Sequence, residues 1–154
     1  MSKRLNQNGF NNALNMIHEG RVVHSGKWSI SPQEENSILG MSPGDNTKPD
    51  EADWARYDKM PLGVDPSVNK NTKGYFHYPM GKGGMLWVPA LEAIRDRAGQ
   101  QHDQEIFNAA GELLKAIDRE KAVVDHMSNF SEAERPSYQE ALLELSAKKP
   151  ELFK

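Results

Sequence analysis

The chain has 154 residues, 37% of them apolar, no cysteine and a net charge of −3. That length suits one domain, and the low apolar fraction, with a mean hydropathy of −0.75, predicts a modest core with long loops or arms that a partner or further copies would stabilise. The missing cysteine excludes disulfides and thiolate metal sites, no apolar run approaches the roughly 20 residues that span a bilayer, and no basic excess points to nucleic acid.

Residues 1–8 read as a loose polar start without the apolar stretch of a secretory signal. A helix is expected over 12–19, with Leu14, Met16 and Ile17 apolar and Gly20 ending it. Segment 21–30 carries Val22, Val23, Trp28 and Ile30 and reads as a strand or an extended arm. Ser31 and Pro32 then supply an N-cap and a first helical position. Glu34 completes a capping box with Ser31, so a helix is expected over 32–39. MSPGDNTKPD at 41–50 is a loop by composition. Residues 51–57 predict a short helix with Trp54 and Tyr57 on one face, and 61–73 is loop-like again. Over 75–88, Tyr75, Phe76 and Tyr78 lie on one side of the turn-rich PMGKGG and Leu86, Trp87 and Val88 on the other. That is the pattern of a β-hairpin, its first strand limited by Pro79.

Pro89 opens a helix expected over 90–99, with Leu91, Ile94 and Ala98 sharing a face and Gly99 ending it. Asp103 is placed to cap the next, over 104–118. There Ile106, Ala109, Ala110, Leu113, Leu114 and Ile117 recur at helical spacing, and Val123, Val124 and Met127 allow it to run on. Its apolar stripe is expected to pack on the preceding helix and the hairpin. A last helix over 137–147 carries Leu142, Leu143 and Leu145, and Pro150 separates it from a small hydrophobic tag, Leu152-Phe153. The fold class is therefore mainly α with a small β-hairpin (α+β). The expected division is an N-terminal arm with short helices over 1–50, a compact helical domain with the hairpin over 51–127, and a C-terminal helix or arm over 128–154.

Candidate chemistry is sparse. His18, His24, His77, His102 and His126 form no HxxxH or HExxH pair, so no helix face presents two imidazoles to a metal. Asp65, Ser67, Asn69 and Asn71 alternate as calcium ligands do. Yet Lys70 stands where the sharp turn needs glycine and Phe76 where a glutamate would close the shell, so an Asx-rich turn is the better reading. Gly81-Lys82-Gly83-Gly84 lacks the spacing of a phosphate-binding loop and precedes strand-like residues, which makes it a hairpin turn with Lys82 at its tip. There is no G-x-S-x-G elbow, and Glu34-Glu35 falls on exposed helix turns. A helix-turn-helix reading of 90–118 would press Asp103, Glu105 and Glu112 against phosphates with a single Lys115 to balance them. Over 101–154, 7 Lys and Arg face 11 Asp and Glu, a solvated acidic helix surface. No catalytic residue, metal or cofactor is expected. Aromatic residues crowd the middle third, and most should be core. The candidate interface anchors are Trp28, Trp54, Tyr57, Lys82, Trp87, Leu152 and Phe153.

Several stretches together resemble a small domain of tailed-bacteriophage head proteins, found alone or beside prohead protease regions. They are LGVDPSVNKNTKGYFHYPMGKGG at 62–84, ALEAIRDRAGQQ at 90–101 and IFNAAGELLKAID at 106–118, with GKWSISPQEENSILG at 26–40 as a lead-in. SYQEALLELSAKKPELF at 137–153 is similar to the C-terminal helix of phage protease-scaffold proteins. The chain carries no protease domain, so the resemblance transfers no catalytic residue. It implies a non-enzymatic decoration, cement or scaffold-associated subunit. Such a subunit binds the major capsid protein or another head protein, as a homo-oligomer or singly, in the host cytoplasm during assembly and then in the virion. Lattice contacts order what a free monomer cannot, which makes the segment up to Ile30 and residues 137–154 the expected contact elements. Two other readings stay open: a phage regulator that binds a host protein or nucleic acid, and a small hydrolase with a spatially assembled site.

Overall fold

A computed structural model describes residues 3–41 and 48–153. The loop expected over 41–50 lies mostly outside these described residues. The helices are α1 (Gln7–His18), α2 (Pro32–Ile38), α3 (Glu51–Tyr57), α4 (Val88–Gln100), α5 (Gln104–Ser128) and α6 (Tyr138–Lys148). The strands are β1 (Arg4–Leu5), β2 (Val22–Val23), β3 (Pro61–Val64), β4 (Phe76–Pro79), β5 (Gly81–Lys82) and β6 (Met85–Trp87). Short 3₁₀ turns occupy Lys73–Tyr75 and Pro150–Phe153. The protein is mainly α with a small β part. It divides into two compact units, Met1–Leu113 and Leu114–Lys154, and not at 50 and 127 as the composition led us to expect. The first forty residues are no separate arm, because β1, α1, β2 and α2 are built into the first unit.

In that unit, β3 lies between β1 and β4 in an antiparallel sheet, with Leu5 opposite Gly63, and Gly63 opposite His77. The expected loose start is thereby corrected to a strand and a helix that begins at Gln7. Backbone and amide bonds hold it where an apolar pattern does not. Asn6, 6% exposed, accepts nothing for α1 with its side chain. Instead its backbone N–H donates to Leu62 O (2.7 Å) and its Nδ2 to Asp58 O (2.6 Å) and Pro61 O (2.9 Å). Helix α1 then runs so close to β3 that a Cβ at Gly9 would stand 2.1 Å from the Pro61 carbonyl oxygen. Residues 61–64, expected as loop, are the central strand, with the proline at its first position.

The second sheet places β6 between β2, parallel, and β5, antiparallel. The hairpin expected over 75–88 is thus shorter. β5 and β6 pair around Gly83 and Gly84, whose φ values of 62° and 73° meet the demand of a two-residue turn for positive φ at both central positions. β4 leaves for the other sheet, redirected by a left-handed Tyr78 (φ 61°) and Pro79. Val88 begins α4 instead of ending a strand.

Part of the aromatic hairpin region, expected to meet the apolar stripe of the long helix, packs elsewhere. Leu39, Tyr57 and Phe76 form a core of their own, with Ile38, Met41, Trp54, Val64 and Tyr75 around it. α2 and α3 frame it, each opened by a complete capping box, Ser31 with Glu34 and Asp50 with Asp53. Elsewhere in this unit Met16, Leu62, Met80, Leu86, Leu91, Ile106 and Leu113 are fully buried, with α1 lying against β3 and β6, and α4 against β6. Burying a side chain of this kind stabilises by about 1.5–3 kcal/mol.

The second unit holds the remainder of α5, α6 and the last 3₁₀ turn. Ala116, Ile117, Val123, Ala141 and Leu145 are buried in it. The Tyr138 hydroxyl donates to Glu120 Oε2 (2.6 Å), His126 Nε2 lies 2.7 Å from Glu144 Oε2, and the Ser137 hydroxyl caps α6 by accepting the Glu140 N–H. No helix among the described residues is long and apolar enough to cross a membrane.

Candidate functional site

Three of the seven candidate anchors meet. Trp28, in the extended segment after β2, and Trp87, at the end of β6, bring their rings to a centroid distance of 5.6 Å. The Lys82 ammonium lies 5.6 Å and 5.4 Å from the two ring centres, donates to Ser29 O (2.6 Å) and pairs with Glu34 Oε2 (2.7 Å). Lys82, placed by its sequence at the tip of the turn, was expected to be an interface anchor. Here that charge is used internally: it ties the hairpin to the 28–31 segment and to α2. The hydrogen bond from Lys82 also holds the Glu34 carboxyl below the usual glutamate range, helped by the Ser31 backbone. Both tryptophans stay half-buried, their rings tilted by 54°, so aromatic surface remains exposed beside this latch.

Trp54 and Tyr57 form a separate cluster. Tyr57 is 5% exposed, packs edge-on against Phe76 (5.2 Å) and donates a hydroxyl hydrogen bond to Glu35 Oε2 (3.1 Å). Burial, then Glu35, pushes its ionisation well above the ordinary tyrosine range. Tyr57 is therefore a core residue. Trp54 stacks on Phe76 (6.0 Å) and keeps one half-exposed side, which lines a hollow of about 500 Å³ with Asn8, Glu51, Asp58 and Lys70. Leu152 and Phe153 sit half-buried in the last 3₁₀ turn, against α6.

A cleft that sequence reasoning missed opens next to Trp28. It has a volume of about 390 Å³, inside the range of about 300–1,000 Å³ of small-ligand sites. Lys3, ahead of β1, and Arg97 and Gln101, at the end of α4, supply polar walls with His77. Trp28, Tyr78, Pro79, Ala90, Ala93 and Ile94 supply the apolar part of the lining. Neither Lys3 nor Arg97 forms an ion pair within 4.0 Å among the described residues.

Behind the cleft stands a buried polar clamp. Asp103, 3% exposed, stands directly before α5, where it was expected to cap it. Its carboxylate accepts the Lys3 backbone N–H at Oδ1 (3.1 Å) and the Tyr78 hydroxyl at Oδ2 (2.6 Å). Tyr78 also lies 2.7 Å from Gln101 Oε1. A hydroxyl has one proton, and the charged carboxylate is the stronger acceptor. Burial, then the Asp103 bond, keeps this phenol neutral far above the ordinary tyrosine range. The clamp holds Tyr78 in its left-handed conformation, a strain of about 1–3 kcal/mol that the surroundings must enforce.

Other sequence motifs stay structural. Asp65 Oδ1 accepts the Ser67 N–H (3.0 Å) and hydroxyl (2.6 Å), closing an Asx turn over the calcium-like stretch. Those two bonds hold the Asp65 carboxyl below its usual range. Among the described residues no three His, Asp or Glu side chains converge as metal ligands. No family model, curated protein or solved structure matches this chain.

Proposed function

We propose that this chain is a non-enzymatic docking protein of a tailed-phage head, a decoration, cement or scaffold-associated subunit that binds the major capsid protein or another head protein. The observation that carries the docking half is the half-exposed Trp28–Trp87 face bordering a cleft with two cations that lack an ion-pair partner among the described residues. Rigid aromatic area beside charged groups is the composition of interface hot spots. The phage setting rests on the resemblance of 26–40, 62–84, 90–118 and 137–153 to head-protein segments.

The test is sedimentation of the full-length protein with purified capsids of the phage that encodes it, together with mass spectrometry of intact virions. Many copies per virion and saturable co-sedimentation are expected, with Trp28→Ala weakening attachment about tenfold or more, the effect of losing one hot-spot residue. Absence from virions together with no co-sedimentation would overturn the proposal. Absence from virions with capture of a host protein would favour the regulator reading.

A further inference from the structure

We infer that the cleft beside Trp28 binds the carboxylate of an acidic peptide segment; this names the chemistry of the partner and rests on the docking reading above. Lys82, the cation that sequence reasoning put at the interface, is engaged by Glu34 and Ser29. Lys3 and Arg97 take its place. They come from opposite ends of the first unit's chain and face one hollow. Their charges act only at longer range on their surroundings, Lys3 on Asp65 and Arg97 on Tyr78. An arginine fork matches a carboxylate with two parallel hydrogen bonds, and the Gln101 amide stands beside it for a neighbouring peptide group. Trp28, Ala93 and Ile94 in the lining suit the aliphatic stem of a glutamate or an adjoining apolar residue.

Two observations point to a built site and not to a chance dimple. Tyr78 lines the cleft in a conformation that tyrosine rarely adopts, and such strain gathers at ligand clamps. The Asp103 carboxylate behind it fixes both walls at once, through the Lys3 main chain and the Tyr78 hydroxyl. Charge selects the class of ligand. A polyphosphate chain gains affinity from many contacts along its length. This cleft offers two cations and a histidine on a chain of net charge −3. A single carboxylate needs no more than that.

The experiment titrates isotope-labelled full-length protein with N-acetyl hexaglutamate amide, and in parallel with N-acetyl hexalysine amide and adenosine monophosphate, followed by amide and indole resonances. Hexaglutamate should saturably move the Trp28 indole and the Arg97 and Gln101 amides, and the other two probes should not. Arg97→Ala and Lys3→Ala, both changes of side chains outside the core, should each weaken hexaglutamate about tenfold, the loss expected for one charge-assisted hydrogen bond. Still resonances at the cleft, unchanged affinity in both variants, or nucleotide binding there in place of the peptide would each overturn the inference. Capsid sedimentation separates it from the docking reading. A Lys3→Ala/Arg97→Ala double variant that binds capsids undiminished refutes the carboxylate site and leaves docking standing. If the unaltered protein ignores capsids, docking fails, and the peptide titration still decides the cleft.

Discussion

Replacing Tyr78 by phenylalanine removes one oxygen from the clamp and keeps the ring. Asp103 Oδ2 then loses a donor at 2.6 Å and retains only the Lys3 N–H at 3.1 Å on its other oxygen. The carboxylate is 3% exposed, so water cannot replace the lost bond without opening the wall. A hydrogen bond to a charged group contributes about 1.5–3 kcal/mol. We expect a loss of about 2 kcal/mol, or a fall of about 4–8 °C in the melting midpoint for a chain of this length. All three tryptophans, Trp28, Trp54 and Trp87, lie in the first unit, so urea denaturation followed by tryptophan fluorescence reads that unit alone. Asp103→Asn supplies the second arm of a double-mutant cycle. If the two side chains act as a pair, the double variant should be less destabilised than the sum by roughly 1 kcal/mol or more. A Tyr78→Phe stability within about 0.5 kcal/mol of the parent, the scatter of ordinary surface changes, would refute the clamp. So would strict additivity of the two substitutions.

Two further predictions rest on other contacts. Gly9→Ala should lower the stability read by the same urea titration by about 1–3 kcal/mol, because its Cβ would lie 2.1 Å from backbone oxygen that cannot swing aside; the helix propensity gained, about 1 kcal/mol, does not offset that overlap, and an unchanged or raised stability would deny the close approach of α1 to β3. Burial first, and then its bond to Glu120, pushes Tyr138 up to about 12 from the ordinary 10.0. With the folded value raised, the unfolded chain ionises first, so this contribution is intact below pH 10 and is lost as pH climbs towards 12. Helical circular dichroism should show Tyr138→Phe losing less stability than the parent over that interval, and superimposable alkaline curves would contradict the assignment.

What could be read from the sequence was local. The Ser31–Glu34 box and the 51–57 helix lie within a few residues of their own signals, and the apolar spacing of α5 needs no distant partner. The sheets were less legible because two of their pairings, β1 with β3 and β2 with β6, join residues some sixty positions apart, and because polar amides hold β1 in place. Asn6 reads as a surface residue until Asp58 and Pro61 are folded over it. Tyr78 reads as a strand former, yet the clamp that turns its backbone involves residues 23 and 25 positions later. The Tyr-Pro step at 78–79 was the only local signal of that redirection. Among the candidate anchors, residue type identified Trp28, Lys82 and Trp87, but spacing could not reveal that they meet or that the lysine charge is already used. Lys3 and Arg97 looked like ordinary surface cations, since a site drawn from residues 3, 28, 77–79 and 90–101 has no linear pattern.

That dispersed origin has a physical consequence. No single element carries the cleft, so its geometry depends on the contact that joins the most distant pieces, and this contact is the Asp103 carboxylate. The bond to the Lys3 main chain fixes where the lysine ammonium can reach, and the bond to Tyr78 fixes the wall against which a ligand would lie. Weakening the clamp should therefore cost affinity before it costs the fold, because β1 is only two residues long and has few ladder bonds to resist local opening. Tyr78→Phe should raise amide exchange at Arg4 and Leu5 ahead of α4. Hexaglutamate, if it binds where we infer, should partly restore that protection by mass action, linking a ligand's charge to the order of a strand it need not touch.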